Sequence, residues 1–150
     1  MNIILFQPEI PQNTGNISRT CAATGTALHL IEPLGFQIND ARLKRAGLDY
    51  WQYLDWHVHR DFDAFLQAVH PKNVYAVSTH GGTRYTQVKF QNDDYLLFGR
   101  ETAGLPNELL SRYPCLRIPM GEDIRSLNLS NAAALTLYEA LRQLDFPNLK

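Results

Sequence analysis

Residues 95–106 read YLLFGRETAGLP: four consecutive large apolar residues, then Gly99 and a polar turn. An apolar run without alternation marks a strand whose two faces are both covered, as in a parallel sheet with helices on each side. A glycine at the strand's carboxyl end allows another backbone or a ligand to come close. The same form recurs along the chain. NIILF (2–6), ALHLI (27–31), VYAVS (74–78) and CLRIP (115–119) are short apolar runs closed by Pro, Gly or polar residues, and WHVH (56–59) reads as a further strand.

Helical patterns separate these runs. In TGNISRTCAAT (14–24), Ile17 and Cys21 face the core and Arg19 the other side, with Asn13 before or at the cap and Gly25 as the stop. NDARLKRAG (39–47), DFDAFLQAV (61–69) and PNELLSRY (106–113) read as further helices, and the polar SLNLSN segment opens a last one. Strands alternating with helices predict one α/β domain over 1–150, with a mainly parallel sheet and helices on both faces. Ligands of such sheets bind beyond the carboxyl ends of the strands. That places a site among the loops after Phe6, Ser78, Phe98 and Ile118.

Composition narrows the class. Of 150 residues 45% are hydrophobic, enough for a substantial core, and the formal charge of -1 excludes a polybasic tail while leaving room for a local basic patch. Cys21 and Cys115 show no CxxC spacing and suggest no disulfide scaffold. The first residues carry no basic segment ahead of a long apolar run, so a cytoplasmic protein is expected. GxGxxG, GxxxxGK[ST] and GxSxG are all absent, which argues against dinucleotide oxidoreductases, P-loop NTPases and α/β hydrolases. His57 and His59 share a strand face, a spacing that can hold zinc; with no accompanying Cys/His cluster they read as ordinary surface histidines, and no metal is expected.

What remains is a surplus of polar residues on loops at one sheet edge. Ser126, Asn128, Ser130 and Asn131 crowd one helix start, more than capping needs. Asn13 and Arg19 lie on the first helix, Gly99 and Glu101 after the run quoted above. Taken singly these are an Asn cap and solvated charges; jointly they outline a polar ligand site.

The blocks NTGNISRTCAATG (13–25), YLLFGRETAGLP (95–106) and LRIPMGEDIRSLNLSNAAAL (116–135) resemble the three motifs of the SPOUT class of RNA methyltransferases, in particular its TrmH-like ribose 2′-O-methyltransferases. HLIEPLGF, DARLKRAGLDY and YEALRQL resemble the small TrmL group, which methylates the wobble ribose of certain leucine tRNAs. The resemblance implies a deep C-terminal trefoil knot over about 74–150, S-adenosylmethionine (AdoMet) as cofactor, tRNA as partner, and a homodimer with its site at the subunit interface. It further implies catalytic roles for Arg19, Asn13, Glu101 and Asn128. The cofactor would be held at Val77, Gly99, Ile118, Ser126 and Leu127. Arg42, Lys44, Arg45 and Arg100 are the expected RNA contacts, and Tyr50 or Tyr85 could stack on a loop base. Arg100 stands where close relatives often carry Pro. Other readings are the same chemistry on a ribosomal RNA, a knotted domain that binds without catalysis, and an unrelated α/β ligand-binding protein.

Overall fold

The computed structural model describes residues 1–39 and 48–150. Seven strands, β1 Asn2–Phe6, β2 Ala27–Ile31, β3 Trp56–His59, β4 Val74–Val77, β5 Thr83–Arg84, β6 Tyr95–Phe98 and β7 Cys115–Arg117, form one sheet in the order β3-β2-β1-β6-β4-β7-β5. Every pairing is parallel. Among the described residues four α-helices cover it: α1 Pro11–Thr24, α2 Phe62–Val69, α3 Asn107–Arg112 and α4 Leu129–Gln143. The helix expected over 39–47 lies almost wholly outside the described residues.

The unbroken apolar runs are explained by two cores, one on each face. Alternate strand residues point to opposite sides. Ile3, Leu5, Leu28, Leu30, Leu96 and Phe98 pack with Ile17 and Cys21 of α1 and with Ala133, Leu137 and Leu141 of α4. Ile4, Ile31, Ala76 and Leu97 pack on the other face with Phe62 and Phe65 of α2 and Leu109 of α3. Each of these strand residues is fully or nearly fully buried.

The helix ends follow local chemistry, with one correction. α1 begins at Pro11, three residues before the expected start, because proline is preorganised for a first helical position and needs no N–H there. Asn13 is therefore inside the first turn and is not a cap. Gly25 ends the helix as expected, at φ 64°. Asp61 caps α2 by accepting from the Ala64 N–H at 2.7 Å. The two-residue β5, exposed at both positions, was not foreseen; it has no apolar pattern to find. On α4, Leu135 and Tyr138 point outward, each 46% exposed.

The histidines form a stack at the β2–β3 edge. His29, only 5% exposed, lies 5.0 Å from the His57 ring and 5.3 Å from the His59 ring, between centroids. Its Nδ1 is 3.1 Å from Nε2 of His59. Phe65 and Tyr95 pack on the same imidazole. His57 is exposed and bound to Asp55 at 2.9 Å. Among the described residues no group of three or more His, Cys, Asp or Glu could hold a metal ion.

Burial, reinforced by the two neighbouring imidazoles, holds the His29 pKa down to about 4. The unfolded chain binds that proton at about 6.5, the folded chain only near 4, so stability is complete above that window and falls as pH drops through it. Urea unfolding should show a loss on the order of 2–3 kcal/mol between pH 7 and pH 4.5 from this group, absent in His29→Gln. An unchanged slope in that variant would assign the acid sensitivity elsewhere.

Candidate active site

The carboxyl ends of β1, β4, β6 and β7 meet at one edge of the sheet, and the polar loops that follow them build the site. After β6, residues 100–104 close a tight turn: Arg100 N–H donates to the Gly104 carbonyl at 3.1 Å, and Gly104 N–H to the Arg100 carbonyl at 2.9 Å. Gly99 allows this turn to fold back. A Cβ there would lie 2.2 Å from the Gly104 carbonyl carbon and 2.3 Å from Leu105 N. Arg100 does not disturb the turn, and its guanidinium carbon sits 5.9 Å from the Phe6 ring centroid.

The turn aims Glu101 at the start of α1. Its carboxylate accepts from Glu9 N–H at 2.8 Å, Ile10 N–H at 3.1 Å and Asn13 Nδ2 at 3.2 Å. α1 has no side-chain cap of its own. A carboxylate at a helix N-terminus is favoured by the dipole and by the N–H groups left without intrahelical partners. Here it comes from 91 residues further along the chain.

The polarity then propagates. Asn13 donates to Glu101, so its Oδ1 is free to accept, and it does so from Asn128 Nδ2 at 3.0 Å. With that amide nitrogen committed, Asn128 Oδ1 accepts from α4: Ser130 N–H at 2.9 Å, Ser130 Oγ at 2.6 Å and Asn131 N–H at 3.4 Å. One asparagine thus caps α4 and ties it to α1. Three of the four expected catalytic residues form a single hydrogen-bonded chain.

Beside this chain lies a cavity of about 580 Å³, within the range of about 300–1,000 Å³ typical of small-molecule sites. Its walls include every residue assigned to the cofactor from sequence, namely Val77, Gly99, Ile118, Ser126 and Leu127, together with Asn13, Arg100, Glu101 and Asn128. Ser78, His80 and Met120 also line it and were not singled out. Their only sequence signal is their position just beyond strand ends.

Arg19 is elsewhere. It lies on the exposed face of α1, where its guanidinium carbon sits 4.7 Å from the Tyr50 ring centroid and Nη2 donates to the Tyr50 hydroxyl at 3.1 Å. It does not line the cavity of its own chain. Tyr50 is accordingly engaged, and Tyr85 packs against the core. Arg42, Lys44 and Arg45 lie outside the described residues.

Replacing Gly99 by Ala would drive a methyl group into the 104–105 backbone, which cannot yield without unfolding the turn that carries Glu101. Urea unfolding of Gly99→Ala should show a loss of about 1–3 kcal/mol, as for other overpacking changes. Wild-type stability would mean the turn is not held by this contact.

The tRNA (cytidine(34)-2′-O)-methyltransferase of Escherichia coli strain K12 is 51% identical over 150 residues, covering 98% of this chain and 96% of that protein. Its namesake in Saccharophagus degradans is 52% identical over 152 residues, covering 99% of each. A solved structure concerned with 2-OH methylation of C/U34 on tRNA superposes with a TM-score of 0.93 at 51% identity, covering 96% of this chain and 95% of that one. The SpoU methyltransferase AviRb from Streptomyces viridochromogenes, solved in complex with AdoMet, superposes at 0.89 with 26% identity, covering 97% of this chain and 60% of that one. Residues 1–138 match the SpoU rRNA Methylase family, and the chain belongs to that family.

Proposed function

We propose that this protein is an AdoMet-dependent tRNA 2′-O-methyltransferase that modifies the ribose of nucleotide 34, the wobble position, in leucine tRNAs. The observation that carries the reading is the Glu101–Asn13–Asn128 chain at the wall of the cavity, in a protein whose relatives at about half identity are named for this reaction. The cavity suits the cofactor: apolar side chains from Val77, Ile118 and Leu129 stand beside hydroxyls from Ser78 and Ser126, matching a molecule with a base, a ribose and a charged tail. We assign its binding to Val77, Gly99, Ile118, Ser126 and Leu127.

AdoMet, when bound, supplies an electrophilic methyl group on a sulfonium. The protein's work is to align the ribose hydroxyl with that carbon and to handle the charge that develops on its oxygen. Glu101, Asn13 and Asn128 orient the nucleotide. The Arg19 guanidinium stabilises the developing alkoxide. Its place outside its own chain's cavity supports a homodimer in which a second copy supplies it. The outward Leu135 and Tyr138 of α4, a helix packed against α1, give such a dimer an apolar contact. We further assign residues 74–150 to a trefoil knot. The Ser78 N–H donates to the Leu116 carbonyl at 2.9 Å, laying the segment after β4 onto β7. Arg42, Lys44, Arg45 and Arg100 contact phosphates, which predicts affinity for tRNA that falls with salt. No described helix is long and apolar enough to cross a membrane, in keeping with a cytoplasmic enzyme.

Labelled AdoMet incubated with total tRNA, followed by nucleoside mapping, should place the label on a 2′-O-methyl nucleoside at position 34 of leucine tRNA. Label on ribosomal RNA alone would overturn the substrate, and binding of AdoMet without transfer to any RNA would overturn the activity. Arg19→Ala should lower kcat by about 10²–10³-fold, the scale of losing one transition-state donor. Its affinity for AdoMet should stay within about twofold. A matching loss of cofactor binding would contradict the assignment.

A further inference from the structure

Glu9, in the link between β1 and α1, faces Glu101 and Thr102 in two senses at once. Its N–H donates to Glu101 Oε2 at 2.8 Å. Its own carboxylate accepts from the Thr102 N–H at 3.0 Å and from the Thr102 hydroxyl at 2.8 and 3.0 Å. Two consecutive residues of the 100–104 turn are thus gripped by one residue, the first by its backbone and the second by its side chain. From these reciprocal contacts we infer that Glu9 is a positioning residue, which fixes the Glu101 carboxylate by holding Thr102.

Glu9 can act this way because its own backbone is braced from behind. The loop after β2 reaches over it: Gly35 N–H donates to the Pro8 carbonyl at 2.9 Å. A Cβ on Gly35 would lie 2.7 Å from Glu9 Cα and 2.8 Å from its carbonyl oxygen. The backbone of Glu9 is therefore wedged between the loops after β2 and β6. The Thr102 N–H, then its hydroxyl, hold the Glu9 carboxyl below the usual range, with Arg100 adding to the effect, so the acceptor is an anion at neutral pH. Charged acceptors form the stronger hydrogen bonds. Rotating the 101–102 segment to swing Glu101 away would break the Thr102 contacts as well. Glu101 holds Asn13, and Asn13 holds Asn128, so an error at Glu9 passes along the whole polar chain.

The inference rests on the activity proposed above, and the test separates the two. Steady-state methyl transfer to tRNA is measured for wild type, Glu9→Ala, Glu9→Gln, Thr102→Val and Glu101→Gln, each alone, and for Glu9→Ala combined with Glu101→Gln. Amide hydrogen exchange at Ile10, whose N–H donates to Glu101, is followed in parallel. Glu9→Ala should lower kcat about tenfold or more, with KM for tRNA within about twofold, since a small misplacement of an orienting group is costly in rate. Glu9→Gln, which still offers an oxygen to Thr102, should recover to within about threefold of wild type, and Thr102→Val should fall between the two. In the Glu101→Gln background the Glu9→Ala change should cost less than about twofold, because the residue acts through Glu101. Ile10 should exchange faster in Glu9→Ala. Wild-type kcat with wild-type Ile10 protection, or an equal loss in both backgrounds, would overturn the inference. Should the wild-type protein transfer no methyl group to RNA, the proposed activity fails, and Ile10 exchange alone then upholds or overturns the role of Glu9.

Discussion

The Glu101 carboxylate is bound at the N-terminal end of α1, and the site takes its shape from that contact. Three N–H donors converge on it from residues 9, 10 and 13, and the next hydrogen bond carries the connection to Asn128 and α4. These groups sit on three chain segments that meet only in the folded protein. A buried or half-buried carboxylate left without such donors would be costly. The arrangement therefore couples stability to function: the contacts that fix α1 and α4 against the turn after β6 also set the polar wall of the cavity.

The sheet makes this convergence possible. Inserting β6 between β1 and β4 brings the carboxyl ends of three strands side by side, with β7 next to β4. All strands run the same way, so all their following loops emerge at one edge, the place where parallel α/β sheets bind ligands. Apolar cores on both faces hold the strands rigid, and the loops inherit that rigidity. The histidine stack lies at the opposite end of the strand order, against β3, and does not enter the site.

Much of this was readable in the chain because it is local. Runs such as NIILF and YLLF, short, apolar and bounded by Pro or Gly, read as strands covered on both sides, and Gly99 before a polar turn marks a close approach. The motif residues Asn13, Glu101 and Asn128 were picked out by pattern, and the structure brings them together. The relation among them was not readable: a carboxylate acting at a helix start 91 residues away leaves no local trace. For the same reason Asn13 taken singly reads as a helix cap, Glu9 carries no local signal, and His29 looks like any residue of a buried strand. Arg19 stands apart from its expected partners, on the exposed face of α1 against Tyr50.

In the proposed reaction the cavity at the ends of β4, β6 and β7 holds the methyl donor, and Arg19 of a second copy completes it. A crystal structure with S-adenosylhomocysteine and a leucine tRNA anticodon stem-loop tests this most directly. The expected result is a dimer with the ligand against Val77, Gly99 and Ile118. The ribose 2′-hydroxyl of nucleotide 34 should lie within hydrogen-bond reach of Arg19 from the other subunit. A ligand bound elsewhere, or a nucleotide 34 remote from both copies of Arg19, would contradict it.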